Sequence, residues 1–276
     1  MREPTVQPVN SLEDPRIAAY RNLKDRELAR WEGRFIAEGL LNVQRLLESD
    51  YPVESALVTE TRVGEVAALV PAGVPVFAAP ERLFSGIVGF GFHGGALACG
   101  RRRPGASLEQ LARRWAEPLT IVILPKITST ENLGGLLRIS SAFGAAAVVL
   151  GPECCDPFYR QAIRVSMGTV FKLPLVRSAD LAADLARLRN EWDVPLAAAV
   201  LDRDAEPLHA AGRGPRLGLL FGNETTGLPG EIVALCDRRV TIPMRLGTDS
   251  LNVAVAAAVF LHHFTHGQAR PPGRAQ

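Results

Sequence analysis

Apolar runs and polar turns alternate along the whole chain, and the spacing of the apolar positions switches between that of strands and that of helices. In the first third, short apolar runs predict strands at 53–58 and 74–78, while helical spacing predicts helices at 40–48 and from residue 80. The same helical spacing predicts a helix over 15–31. This alternation indicates a small α/β layer domain in the first third of the chain.

The remainder of the chain continues the alternation. Strands are predicted at 120–124, 147–150, 173–176, 196–200, 217–221 and 240–242, and helices near 134–142, 158–165, 182–192, 230–235 and 251–264. Because helices separate most consecutive strands, the pattern predicts a doubly wound, mostly parallel sheet of the α/β class.

A basic stretch, GRRRPG at 100–105, separates the two parts. It is polar and bounded by glycine and proline, which favours a linker. The predicted organisation is a flexible arm at 1–10, a first domain at 11–100, a linker at 101–117, a second domain at 118–266 and a tail at 267–276.

The composition is that of an ordinary globular protein, with 47% hydrophobic and 22% charged residues. The net charge of +2 does not by itself indicate a nucleic-acid partner, although a local basic patch would suffice. The four cysteines show neither CxxC spacing nor nearby histidines at zinc-finger spacing, so neither a disulfide framework nor a metal site is expected. The N-terminus lacks the apolar core of a signal peptide, and the longest apolar run is too short for a bilayer. A cytoplasmic location without a membrane partner is therefore expected.

Three polar loops that follow predicted strands form the main functional signal. Two of them are NLGGLLR at 132–138 and GNETTGLP at 222–229. The third combines IPM at 242–244 with SLNVAVA at 250–256, where a strand end leads through a turn into a helix that Ser250 is expected to cap. Because the carboxyl ends of parallel strands share one edge of a sheet, the three loops are predicted to line one crevice. Free main-chain groups at such an edge suit a flat heterocycle.

In their order and spacing, these loops resemble the three motifs of the SpoU/TrmH-type RNA methyltransferases of the SPOUT class. The resemblance covers about 121–264, and a looser match at 35–39 extends it into the first domain. It implies a C-terminal SPOUT-type parallel sheet with a deep trefoil knot, preceded by a small α/β RNA-binding domain, and a homodimer. The chain departs from the family pattern at Ser129-Thr130, where Asp-Pro is frequent, and at Ala254, where serine is frequent. These departures leave loop shape and substrate fit open.

The resemblance implies transfer of a methyl group from S-adenosylmethionine to a ribose 2′-hydroxyl of RNA, with ribosomal RNA favoured over transfer RNA because of the N-terminal domain. Arg138 is the implied catalytic residue, and a plain surface arginine is the alternative. Family proposals make this arginine the base that activates the hydroxyl, but a guanidinium remains protonated under ordinary conditions. Holding the neighbouring phosphate and stabilising the developing alkoxide suits it better, with the proton leaving to a phosphate oxygen or to water.

Four further residues are implied in catalysis: Asn132, Glu224, Ser250 and Asn252. Asn132 is expected to orient Arg138 or the ribose, and Glu224 to fix Arg138 or a loop amide. Ser250 and Asn252 are expected to flank the site. Helix capping alone would explain Asn132 and Ser250.

The resemblance also implies contacts to the cofactor and to RNA. The cofactor-binding residues are Gly222, Ile242, Met244, Leu251 and Asn252. The apolar side chains of Ile242 and Leu251 would enclose the adenine. The candidate RNA-binding residues are Arg21, Lys24, Arg26 and Arg164. The alternative for Arg164 is a salt bridge, and the alternative for the other three is a solvated helix face balanced by nearby acids.

Two other functions remain open on the sequence. A non-catalytic RNA-binding or ribosome-assembly protein would use the same fold, but it would not need this set of polar residues. A nicotinamide-dependent enzyme would use GFGFHG at 89–94, which matches G-x-G-x-x-G. That segment leads into a predicted strand and a linker, whereas a dinucleotide site requires the loop between a strand and a helix. A similar His-Gly pair also ends the N-terminal domain of SpoU-type proteins.

Overall fold

The structure is a computed structural model that describes residues 5–21, 33–88, 94–246 and 250–266. The described residues form two compact units. The first comprises the chain up to Pro104 and the segment Asp156–Lys172, and the second comprises Gly105–Cys155 and the chain from Leu173 onward. The segment Asp156–Lys172 therefore belongs to the N-terminal unit, although its sequence lies within the predicted second domain.

Twelve strands and nine α-helices lie within the described ranges. The strands are β1 (Val6–Pro8), β2 (Arg34–Glu38), β3 (Val53–Thr59), β4 (Val76–Ala79), β5 (Ala96–Arg101), β6 (Leu119–Leu124), β7 (Ala147–Leu150), β8 (Leu175–Arg177), β9 (Leu196–Ala199), β10 (Glu206–Pro207), β11 (Arg216–Leu220) and β12 (Arg238–Thr241). The helices are α1 (Leu40–Leu47), α2 (Val63–Ala67), α3 (Glu81–Val88), α4 (Leu108–Ala112), α5 (Thr130–Ala142), α6 (Arg160–Val165), α7 (Leu181–Asn190), α8 (Gly230–Ala234) and α9 (Val253–His266).

The first unit is built on a sheet whose described strands have the order β1–β4–β3–β5–β2. The strands β1, β4 and β3 are parallel, and β5 runs antiparallel to both of its neighbours. Ile36, Leu57 and Leu97 form part of the core on this sheet. Tyr20 is buried in the same core and donates a hydrogen bond from its hydroxyl to the carbonyl oxygen of Ser55 at 2.9 Å.

Two predicted features of the first unit differ in the structure. Val6–Pro8, placed by the sequence in a flexible arm, form an edge strand parallel to β4, because this pairing satisfies main-chain groups through hydrogen bonds. The helix predicted from residue 15 is a 3₁₀ helix over Pro15–Tyr20, after which the chain is extended at Arg21. The rest of that predicted helix, 22–31, lies outside the described residues, as do 89–93 of the glycine-rich segment.

The second unit contains a sheet whose described strands have the order β10–β12–β9–β11–β6–β7–β8, and all of its neighbouring strands are parallel. The predicted α/β fold with a parallel sheet is therefore confirmed. All six residues of β6 are buried, which explains why this central parallel strand is apolar in the sequence except at Thr120. The predicted linker contains α4, which begins with a capping box formed by Ser107 and Gln110.

The order of the central strands determines where the functional loops lie. The strands β12, β9, β11 and β6 are consecutive neighbours and are parallel, so their carboxyl ends lie at the same edge of the sheet. The three segments identified in the sequence follow β6, β11 and β12, and the first of them, 132–138, lies within α5 and not in a loop. The topology therefore brings them to one edge of the second unit.

The C-terminal helix α9 is apolar on most of its surface. It buries Phe260, Leu261 and Phe264 and leaves Val255 and Val259 half-exposed. Small residues allow it to approach α5 closely, since a Cβ atom on Gly135 would lie 3.2 Å from that of Ala254. Among the helices of the described ranges, none combines the length and the apolar character needed to cross a membrane.

Candidate functional site

A cleft of about 330 Å³ opens at the carboxyl edge of the second unit's sheet. This volume falls in the range of roughly 300–1,000 Å³ that is usual for small-molecule sites. Among its lining residues are these predicted site residues: Gly222, Glu224, Ile242, Met244, Ser250, Leu251 and Asn252. The lining also includes residues that sequence reasoning did not single out, among them Leu201, Asn223, Thr225, Val253 and Phe260.

Some of these additional lining residues could have been recognised from the sequence, and others could not. Asn223 follows a glycine at a strand end, a position where an asparagine side chain commonly organises a turn. Its Oδ1 accepts hydrogen bonds from the amides of Thr225 at 2.9 Å and Thr226 at 3.2 Å. By contrast, Leu201 and Phe260 reach the cleft only through the folding of their elements, and no motif marks them.

The loop after β11 is closed tightly on itself, and this explains Gly222. The amides of Asn223 and Gly227 each donate to the carbonyl oxygen of the other, at 3.0 and 2.9 Å. A Cβ atom on Gly222 would lie 2.3 Å from the carbonyl carbon of Gly227, a distance that no packed atom pair tolerates. The glycine is therefore required by the loop's own backbone, whatever binds beside it.

Replacing Gly222 by alanine is expected to force this loop open and to weaken ligand binding in the cleft by about 10-fold or more, because Glu224 and Thr225 line the cleft from the same loop. Calorimetric titration of S-adenosylmethionine would measure the effect. Gly230→Ala is the matched control, since a Cβ atom there meets nothing within 4 Å. Equal ligand affinity of the two variants would contradict this account of the loop.

A chain of side-chain hydrogen bonds joins the start of α5 to the loops after β11 and β12. The Asn132 amide donates to Oε1 of Glu224 at 2.7 Å, and the Asn252 amide donates to Oδ1 of Asn132 at 2.9 Å. Asn223 donates to the second carboxylate oxygen of Glu224 at 3.0 Å. Asn132 thus lies between the second and third loops and fixes the position of Glu224 at the cleft.

The helix cap at the third loop differs from the prediction. The helix α9 begins at Val253, and Oδ1 of Asn252 accepts from the amides of Ala254 at 2.9 Å and Val255 at 3.4 Å. Ser250 was expected to provide the cap, but it lies too early in the chain and is an exposed residue of the cleft wall. Asn252 therefore has a structural role that accounts for both of its polar groups.

Arg138 does not line the cleft. It is exposed on α5 and makes no hydrogen bond or ion pair within the described part of the chain. The expected contacts of Asn132 and Glu224 with Arg138 are also absent there, because residues six apart on an α-helix leave its axis roughly 120° apart. The guanidinium is instead available to a group outside this unit.

The predicted RNA-binding residues lie in the first unit or outside the described ranges. Nη1 of Arg164 lies 3.8 Å from the buried carboxylate of Glu38, whose other oxygen is 3.2 Å from Nε of Arg160. Arg21 pairs with Glu13 at 2.8 Å. Both alternatives thus agree with these contacts, a salt bridge for Arg164 and charge balance by an acid for Arg21, although the Arg164 side chain remains 56% exposed. The other two predicted residues, Lys24 and Arg26, fall outside the described residues.

The cleft suits a ligand that combines a flat ring with a positive charge. Its apolar wall includes Ile242, Leu251 and Phe260, which offer surfaces for a flat ring. Glu224 supplies a carboxylate at the same cleft, which favours a ligand that carries positive charge.

The chain is similar to known proteins that are named as RNA methyltransferases. The model of the SpoU rRNA Methylase family matches residues 119–262. An uncharacterized tRNA/rRNA methyltransferase of Mycobacterium bovis is 37% identical, over 94% of this chain and 92% of the relative. The 23S rRNA (guanosine-2′-O-)-methyltransferase RlmB of Acinetobacter baylyi is 29% identical, over 81% of this chain and 94% of the relative. The crystal structure of an AdoMet-bound rRNA methyltransferase from Sinorhizobium meliloti matches with a TM-score of 0.80 at 28% identity, over 93% of this chain and 96% of that one.

Proposed function

The chain belongs to the SpoU rRNA methylase family, and from this premise we propose that it transfers the methyl group of S-adenosylmethionine to a ribose 2′-hydroxyl of ribosomal RNA. The observation that carries the proposal is the cleft, where the second and third sequence motifs meet and the first is tied to them by hydrogen bonds. Relatives that are named 23S rRNA 2′-O-methyltransferases support the substrate class.

The lining of the cleft fits S-adenosylmethionine. Ile242 and Leu251 offer apolar surfaces to the adenine, and the main chain of residues 242–244, beside the cleft, is proposed to read its edge. The carboxylate of Glu224, held by the amides of Asn132 and Asn223, balances the positive sulfonium. When bound, the cofactor supplies a methyl group that is already strongly electrophilic, so the protein's main tasks are alignment and assistance to proton loss.

Arg138 is proposed to act on the RNA. Its guanidinium is free of internal partners within the described residues and stays protonated at neutral pH, so it is suited to hold a phosphate beside the target ribose. The same charge stabilises the alkoxide that develops at the 2′-oxygen as the new O–C bond forms and the S–C bond breaks. The hydroxyl proton leaves to a phosphate oxygen or to water.

Resemblance to the family supports three further structural proposals. The chain after β12 is proposed to form the deep trefoil knot. The first unit is proposed to bind RNA, with Arg164 and Arg21 as candidate phosphate contacts. A homodimer is proposed to bury the face of α9 that carries Val255 and Val259, both more than 40% exposed in the single chain. In such a dimer a second copy would complete the site around Arg138.

Transfer of tritium-labelled methyl groups to unmodified 23S rRNA transcripts and to large ribosomal subunits tests the proposed function, with tRNA transcripts as the comparison. We expect a 2′-O-methylated nucleotide in the ribosomal samples, identified by nuclease digestion and mass spectrometry. Label in tRNA alone would reassign the substrate. No label in any RNA, together with no calorimetric binding of S-adenosylmethionine, would favour the non-catalytic RNA-binding function.

A further inference from the structure

A second cavity, of about 550 Å³, shares a wall with the cofactor cleft in the second unit. Leu201, Ile242 and Met244 line both cavities, so the strand end after β12 separates them. The other side of the second cavity is formed by the segment after β9 and by Arg245 and Leu246. Of these, Asp202, Arg203, Arg245 and Leu246 do not line the cofactor cleft.

The second cavity carries uncompensated positive charge. Arg203 and Arg245 line it, are exposed, and make no hydrogen bond or ion pair within the described part of the chain. The acidic residue in the lining, Asp202, is paired with Arg239. Other arginines of this unit do have acidic partners, namely Arg187, Arg189, Arg216 and Arg238. The two lining arginines differ from these in having no acidic partner within the described residues.

Exposed apolar side chains accompany this charge. Leu201 is 67% exposed, and Leu246 is fully exposed. Leu246 also adopts a φ of 58°, in the left-handed region that a branched side chain rarely occupies. Backbone strain at a residue that buries nothing within its own unit is typical of a functional contact and not of packing.

We propose that this second cavity binds a nucleotide of the substrate RNA that neighbours the methylated one, an inference that rests on the proposed function. Arg203 and Arg245 bind its phosphates, and Leu201 and Leu246 contact the flat face of its base. A nucleotide presents this combination of anionic oxygens and an apolar ring. The wall shared with the cofactor cleft brings the cavity next to the proposed cofactor site.

The test compares two double variants of equal charge, Arg203→Ser with Arg245→Ser and, as the control, Arg113→Ser with Arg114→Ser. The control pair is exposed in the same unit and lines neither cavity. Affinity for an unmodified 23S rRNA transcript is measured by filter binding over a range of salt concentrations. We expect the cavity variant to bind at least about 10-fold more weakly, with a slope of log affinity against log salt that is shallower by about 1.4, since each contact to single-stranded RNA contributes about 0.7. The control should keep the wild-type slope.

Other outcomes would overturn the proposal. An unchanged affinity, or an equal loss in the control, would mean that the cavity makes no particular RNA contact. A loss of affinity for S-adenosylmethionine, without a loss for 5′-methylthioadenosine, would assign the arginines to the carboxylate of the cofactor. Methyl transfer by the wild-type protein, measured in parallel, reports on the proposed function separately, so failure of one conclusion is distinguishable from failure of the other.

Discussion

Replacing Ile242 by arginine is expected to weaken the binding of S-adenosylmethionine severely while the protein remains folded. Ile242 is a partly exposed residue in the wall between the two cavities, so a long charged side chain there would enter the space proposed for the adenine. The affinity should fall by about 100-fold or more, which corresponds to about 2.7 kcal/mol. Calorimetric titration gives this number directly.

A matched control separates the effect on the cleft from the effect of adding an arginine. Leu69 is 40% exposed in the first unit and lines neither cavity, so Leu69→Arg adds the same side chain elsewhere. It should leave the affinity unchanged. Both variants should keep a cooperative urea transition. Undiminished cofactor binding by the folded Ile242→Arg variant would exclude this cleft as the cofactor site.

The second large effect is expected at Arg138. Arg138→Ala should reduce methyl transfer to RNA by about 100- to 1,000-fold, the usual cost of removing a group that stabilises charge in the transition state. Because Arg138 lies outside the cleft and has no internal partner in the described residues, the affinity for S-adenosylmethionine should not change. The free energy of unfolding should change by less than about 0.5 kcal/mol. Single-turnover transfer of labelled methyl groups measures the first quantity.

Two control variants test whether the loss of activity is specific to the Arg138 guanidinium. Arg138→Lys keeps the charge but loses the planar fork that binds a phosphate through two donors, so most of the activity should still be lost. Arg113→Ala removes an exposed arginine of the same unit and should leave the rate unchanged. If Arg138→Ala retained wild-type transfer, the arginine would be a surface residue, which is the alternative that the sequence left open.

Much of the second unit could be predicted from the sequence because its strands are buried. A parallel strand covered on both faces is mostly apolar. The strand β7 is an unbroken apolar run, β6 is interrupted only by Thr120, and the positions of both agree with the prediction to within a residue. Glycine and asparagine after such runs indicate turns, and this located the loop that begins at Gly222. Residue type and local order were therefore sufficient to predict these elements.

The short elements were harder to predict because tertiary contacts stabilise them. The three residues of β1 have no pattern of their own, and they form a strand because β4 offers a free edge. The segment Asp156–Lys172 likewise belongs to the first unit through its contacts, for example those of Arg160 and Arg164 with Glu38. Sequence order alone assigned it to the other domain.

The α/β class, the parallel sheet and the family could be predicted from the order of residues, since each depends on periodicity or on the spacing of residues along the chain. Which side chains meet became evident in the folded chain. Asn132 bonds Glu224 and Asn252 across separations of 92 and 120 residues, and the capping role moved from Ser250 to Asn252. The folded chain also separated Arg138 from the cleft and revealed the second cavity. The physical reason is that hydrogen bonds and cavities depend on distances of a few ångströms in space, and residue spacing does not specify these once the chain has folded back on itself.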